Sequence, residues 1–189
     1  DALYAYLRSL PPVAQPARPH DLRFPFNTQA ALAIWRALYF KPGEFQPDTT
    51  QSAAWNRGAY LVQGLGHCNA CHAQRNALGA TASPLDLGGG LIPVQNWYAP
   101  SLTDPREAGV ADWAEAHIVA LLKTGVVQRH GALQVTSGPM ADVVLRSTQH
   151  PSDADLIAMA TYLRTLGQPT GAAAQPAALD AGRRAVADP

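Results

Sequence analysis

The 189 residues balance 14 Lys plus Arg against 14 Asp plus Glu, and 47% of them are hydrophobic. That length allows one well-buried domain with material left over, while zero net charge gives no field that argues for nucleic acid or an anionic membrane surface. No apolar run reaches the length of a bilayer-spanning helix, and Asp1 follows no basic, apolar leader, so the expectation is a processed chain or a fragment without a transmembrane segment. Sixteen prolines and 15 glycines, with few alternating β-branched runs, predict short helices joined by structured loops: a mainly α fold.

In chain order, Ala2 to Leu10 predicts a short helix, and Leu10 to Pro16 a proline-punctuated loop. Thr28 to Phe40 places Ala31, Ile34, Trp35 and Leu38 at helical spacing, opens on a capping threonine and stops at Pro42-Gly43. Lys41 to Thr50 reads as a second loop. Gln51 to Leu65 repeats the helical pattern with Ala54, Gly58, Leu61, Val62 and Leu65. Asp112 and Glu115 suit N-cap and N3 of a helix running to Lys123 before Gly125, and Ser152 with Asp155 opens another that ends near Leu166. Beyond Leu166, enrichment in Pro and Ala predicts a flexible tail. Tyr6-Leu7-Arg8-Ser9-Leu10 matches Tyr162-Leu163-Arg164-Thr165-Leu166 in register, so the first helix reads as the closing helix of a preceding, similar domain. A weaker echo joins Gly182-Arg183-Arg184-Ala185-Val186 to the stretch around Gly58.

Cys68-Asn69-Ala70-Cys71-His72 holds the chain's two cysteines, leaving none for a separate structural disulfide. In C-x-x-C-H each sulfur can add to one haem vinyl group, and the adjacent histidine then falls beneath the iron. Zinc would ask for a second Cys or His pair at short spacing, and a thioredoxin-like centre for a βαβ context; the sequence offers neither. For the sixth iron position, Met140 lies in a Ser137-Gly138-Pro139-Met140 loop, whereas Met159 shares a helix face with Leu156 and Leu163, the pattern of a core residue. His130 and His150, both in loops, are the rival ligands, and His67 reads as a surface residue or hydrogen-bond partner beside the attached edge.

From about Leu22 to Leu166 the sequence resembles a class I cytochrome c, and more narrowly one domain of the multi-haem cytochrome subunits of bacterial periplasmic dehydrogenases for alcohols, gluconate and related substrates. The resemblance is carried by Phe24-Pro25-Phe26-Asn27, Trp35, Trp55-Asn56-Arg57-Gly58-Ala59-Tyr60-Leu61-Val62, Gly66-His67-Cys68, Cys71-His72, Arg75-Asn76, Leu78-Gly79, Ala99-Pro100, Gly138-Pro139-Met140, Val143-Val144 and Ser147-Thr148. Two departures stand out: Ala73-Gln74 replaces the family's Thr-Pro, and Ser101 its Asn.

The resemblance implies an all-α class I cytochrome c fold with an N-terminal helical extension. On that reading residues 1–48 form an inter-domain extension, 49–167 the haem domain and 168–189 a linker, in the middle of three tandem haem domains. It implies that Gly58 faces Tyr162 where the first and last helices of the haem domain cross. Pro84 stands at the family-like distance to accept the His72 ring N–H through its carbonyl, with a plain loop proline as the bland alternative. Arg75, Trp97 and Tyr98 are candidate donors to the haem propionates, or else a solvated cation and pocket walls. The implied function is electron transfer by one covalent haem c with His72 and Met140 on the iron, not catalysis. The implied partners are a dehydrogenase catalytic subunit, neighbouring cytochrome domains, and a quinone or cytochrome acceptor in the bacterial periplasm. A peroxidase-like or ligand-sensing haem domain, with a labile sixth ligand and His130 as the distal group to suspect, is the alternative.

Overall fold

A computed structural model describes residues 2–81 and 85–167. The tail from 168 onward, the Gly182-to-Val186 echo and Pro84 lie outside the described residues. The chain divides into two compact units, Asp1–Gly43 and Glu44–Pro189.

The first unit carries α1 (Ala2–Ser9) and α2 (Gln29–Tyr39), neither of which buries a residue. Thr28 caps α2 as its position predicts: its Oγ1 accepts from the Ala31 N–H at 3.2 Å, satisfying a donor that has no carbonyl within the helix. Trp35 and Tyr39, one turn apart, bring their ring centroids to 5.4 Å.

In the second unit, α3 (Ala53–Tyr60) starts on Ser52, whose Oγ accepts from the Trp55 N–H at 3.1 Å. The expected single helix to Leu65 changes character after Tyr60 and continues as a π-turn over Leu61–Leu65. Gly66 N–H returns to Leu61 O at 2.7 Å, and a Cβ on Gly66 would sit 2.9 Å from that oxygen. Glycine at that position lets the widened turn close tightly and hand the chain to α4 (Asn69–His72).

Two short antiparallel ribbons interrupt the helices: β1 (Gly90–Ile92) with β2 (Trp97–Ala99), then β3 (Val126–Arg129) with β4 (Ala132–Val135). Between them runs α5 (Glu115–Thr124), ended by Gly125 at φ 74°. The helix therefore begins three residues after Asp112, and the expected Asp112–Glu115 cap does not form. Asp112 instead takes Arg129 Nη2 at 2.9 Å while that guanidinium lies 4.6 Å from the Trp113 ring centroid. A charged and stacked partner across the fold outcompetes a local N–H. Then follow α6 (Pro139–Val143), a second π-turn over Val144–Thr148, and α7 (Asp153–Leu166). Ser152 caps α7 by accepting from the Asp155 N–H at 3.2 Å.

The core sits where α3 crosses α7, with α5 also packed on α7. Leu156, Tyr162 and Val62 are its largest fully buried side chains, each aliphatic one contributing about 1.5–3 kcal/mol. Met159 joins them at 5% exposure, as its helical spacing predicts. Three polar ties lock the crossing: Trp55 Nε1 donates to Thr165 Oγ1 at 2.9 Å, Gln63 Nε2 to the Tyr162 hydroxyl at 2.6 Å, and Arg57 grips Asp155 at 2.8 and 3.2 Å. The described residues are thus helix-rich with few strands, and no helix among them is long and apolar enough to cross a membrane.

Candidate functional site

The π-turn ends by sending Cys68 N–H to Val62 O at 3.2 Å, after His67 reverses the chain at φ 33°. Cys68 then opens α4, and the single turn to His72 sets both sulfurs and the imidazole on five consecutive residues. Both thiols are free and partly exposed. Burial pushes the Cys68 thiol up to about 11, so at neutral pH it is a thiol and not a thiolate. Among the described residues no three His, Cys, Asp or Glu side chains converge as metal ligands, so a closed zinc centre has no donor set there.

His72 is held from its far side. Its Nδ1 lies 2.7 Å from Pro100 O, and because a carbonyl only accepts, Nδ1 carries the proton. Nε2 is then the lone-pair nitrogen, the tautomer a metal requires. Burial, partly opposed by the bond to Pro100, holds the ring's pKa below the usual histidine value, which keeps it neutral. The carbonyl expected from Pro84 thus comes from Pro100, 28 residues beyond the histidine, while Pro84 is outside the described residues.

The ribbon β1–β2 brings that carbonyl into place. Gly89 N–H donates to His72 O at 2.8 Å, and a Cβ on Gly90 would meet Ala73 O at 2.5 Å, so the ribbon's backbone lies directly on the cysteine turn. After β2 the chain turns on Ser101, 2% exposed, whose Oγ accepts from the N–H groups of Thr103 and Asp104 at 3.2 and 2.9 Å. Serine in place of asparagine therefore still supplies an acceptor to the turn. Its own N–H donates to Glu107 Oε2 at 2.6 Å.

The other candidates fall as follows. Arg75 donates to Gly79 O and Ala70 O at 2.8 and 2.9 Å, bracing the loop that leaves the motif. Trp97 packs its ring on Gly138, where a Cβ would lie 2.7 Å from Cζ3; glycine at φ 53° meets both the conformation and the space. Met140 follows at the second residue of α6, partly buried against the core. One strand, β2, therefore touches the Met140 turn at Trp97 and delivers the His72 acceptor just past Ala99. The Tyr98 hydroxyl spends its single proton on Glu107, at 3.1 and 3.2 Å from the two carboxylate oxygens, so it has a protein partner where a propionate donor was expected. His130 stands exposed at the β3–β4 turn with φ 52°, followed by Gly131 at 76°, the two positive values of a tight two-residue hairpin; His150 and His67 are also exposed.

Burial, followed by the neighbouring Glu107 charge, pushes the Tyr98 phenol up to about 12 from 10.0. Its contribution to stability is complete below pH 10 and is lost as pH rises towards 12, because the unfolded chain ionises first. We expect an ultraviolet titration to show Tyr98 ionising late, alongside Tyr162, whose phenol burial also raises, and Tyr98→Phe to remove one tyrosine from that late step. An unchanged titration in the variant would assign it elsewhere.

A cysteine pair and a neutral histidine with a free Nε2, on one turn of a helix-rich frame, is the donor set of a c-type cytochrome. The chain is 44% identical over 178 residues, 93% of its length, to one of the subunits of the nicotinate dehydrogenase of Pseudomonas putida. It is 41% identical over 87% of its length to the cytochrome c subunit of the alcohol dehydrogenase (quinone) of Gluconacetobacter polyoxogenes, and 37% identical over 87% to the fructose dehydrogenase cytochrome subunit of Gluconobacter japonicus. The chain spans 14%, 36% and 33% of these relatives respectively. No protein-family model matches it. It is a homologue of the cytochrome c subunits of bacterial alcohol, fructose and gluconate dehydrogenases and of a dihaem cytochrome c. Haem c is the cofactor those names imply, and the thiols and imidazole of this turn fit it.

Pro100 and Glu107 escaped sequence reasoning as site residues, while Ser101 stood out only as a departure from the family pattern. Ala99-Pro100 was visible only as part of the family pattern, and nothing in local spacing ties Glu107 to His72.

Proposed function

We propose that residues 49–167 form a class I cytochrome c domain that transfers electrons through one covalent haem, attached by Cys68 and Cys71, with His72 and Met140 on the iron. The observation that carries this reading is the 2.7 Å bond from His72 Nδ1 to Pro100 O, which orients the ring and reserves Nε2. When bound, haem supplies a one-electron couple. The chain's own residues do the rest. The Pro100 carbonyl enriches the imidazole, which favours the oxidised state. The Met140 thioether is soft and favours the reduced state. Trp97 braces the Met140 turn, and Arg75 and Trp97 would provide propionate donors. With His72 and Met140 both given to the iron, the haem would keep no open position for substrate, and the domain would act as a carrier and not a catalyst.

By the same reading, residues 1–48 are an extension beginning with the closing helix of a preceding haem domain and 168–189 a linker. The match of Tyr6–Leu10 to Tyr162–Leu166 and the share of its relatives that the chain spans support this. Electrons would come from a dehydrogenase catalytic subunit and leave through a neighbouring cytochrome domain to quinone or another cytochrome. The bacterial periplasm suits the covalent attachment, which needs reduced thiols and dedicated assembly outside the cytoplasm.

Met140→Ala tests the ligand. The expected outcome is loss of the methionine-to-iron absorption at the red end of the ferric spectrum and a lower reduction potential, with the haem still covalently held. A wild-type ferric protein that is already high-spin and reacts with peroxide would overturn the carrier reading.

A further inference from the structure

We propose that Glu107 is a positioning residue for the proximal ligand, acting on His72 through the Pro100–Ser101 peptide. That amide is engaged at both ends. Its carbonyl accepts from His72 Nδ1 at 2.7 Å, and its N–H donates to Glu107 Oε2 at 2.6 Å. A carboxylate on an amide N–H draws the peptide's electrons towards its oxygen, because hydrogen bonds in series polarise one another where water is scarce. Ser101 is 2% exposed and Pro100 and Glu107 are half-buried, so the peptide's N–H end is withdrawn from bulk water. The stronger acceptor pulls harder on the Nδ1 proton, and the imidazole becomes a better electron donor at Nε2.

Glu107 is held for this task. The Tyr98 hydroxyl donates to both its oxygens, and the turn it closes is fixed at Ser101 by Oγ bonds to Thr103 and Asp104. Ala108 N–H returns to Ser101 O at 3.1 Å, so both faces of residue 101 are tied to the segment that carries the carboxylate. Gly89 stands against the same group: a Cβ there would lie 2.7 Å from both Ser101 N and the Tyr98 hydroxyl, leaving no room for another side chain to intervene. The relay therefore runs from carboxylate to peptide to imidazole without a gap.

This inference rests on His72 being a haem ligand, and the test separates the two. The full chain is matured with haem as wild type, Glu107→Gln, Glu107→Ala and Tyr98→Phe. Haem content is read after denaturation, the midpoint by redox titration, and the His72 Nδ1–H resonance by NMR of the reduced protein. Both Glu107 variants should keep covalent haem, move the Nδ1–H resonance upfield and raise the reduced-to-oxidised ratio at fixed potential about threefold or more. Tyr98→Phe relieves the carboxylate of its other donor and should move the resonance downfield, which decides the matter if the Glu107 variants fail to fold. A midpoint that shifts while the resonance stays still would mean a through-space charge only and would overturn the proposal, as would no change in either. A wild type without covalent haem would sink the parent reading and this one together.

Discussion

Gly58→Ala should cost the domain a large share of its stability. A Cβ at that position would lie 1.9 Å from Ala158 O and 2.8 Å from Tyr162 Cβ, and the first of these is backbone that cannot rotate away. The helices α3 and α7 must separate to admit it. Separation loosens the Trp55–Thr165, Gln63–Tyr162 and Arg57–Asp155 ties together, because all three bridge the same crossing. Overpacking of this kind costs about 3 kcal/mol or more against a total of about 5–15 kcal/mol for a domain. Gly64→Ala is the control, since a Cβ there meets nothing within 4 Å and its effect should stay within about 1 kcal/mol. Denaturant or thermal unfolding of the two variants measures the contrast. Equal stability of the two would refute the close crossing.

Replacing both Cys68 and Cys71 by serine should abolish covalent haem entirely, with each single variant keeping one thioether. Hydroxyl groups do not form the thioether that a thiol makes with a vinyl group, and the chain holds no other cysteine. Haem staining of denaturing gels and acid–acetone extraction read the outcome: the wild type retains colour in the protein fraction, the double variant none. On the proposed ligation, His72→Ala should keep the thioethers but lose the imidazole whose Nδ1 bonds Pro100, giving a high-spin spectrum. Retention of covalent haem by the double serine variant would remove the cysteine pair from the attachment site.

The two outcomes differ in how their causes were legible. The cysteine turn declares itself in five residues, because the chemistry demands sulfur, sulfur and imidazole at fixed spacing. The glycine at the crossing was legible only through family resemblance, since a glycine in a helix pattern has no local sign of what it faces.

What the sequence determined by itself is local. Thr28, Ser52 and Ser152 cap helices because a hydroxyl reaches the backbone N–H three residues on, and Met159 is core because its helical spacing puts it with Leu156 and Leu163. The C-x-x-C-H turn belongs to the same class. Only the tertiary structure decided which partner wins when a local and a distant one compete. Asp112 abandons its helix N-terminus for Arg129, and His72 takes the carbonyl of Pro100. Glu107 reaches the same peptide through Ser101 N–H. The physical reason is that every residue carries a backbone carbonyl, so composition does not mark which one will accept. That choice belongs to the β1–β2 ribbon, which lays one particular peptide against the histidine of the cysteine turn.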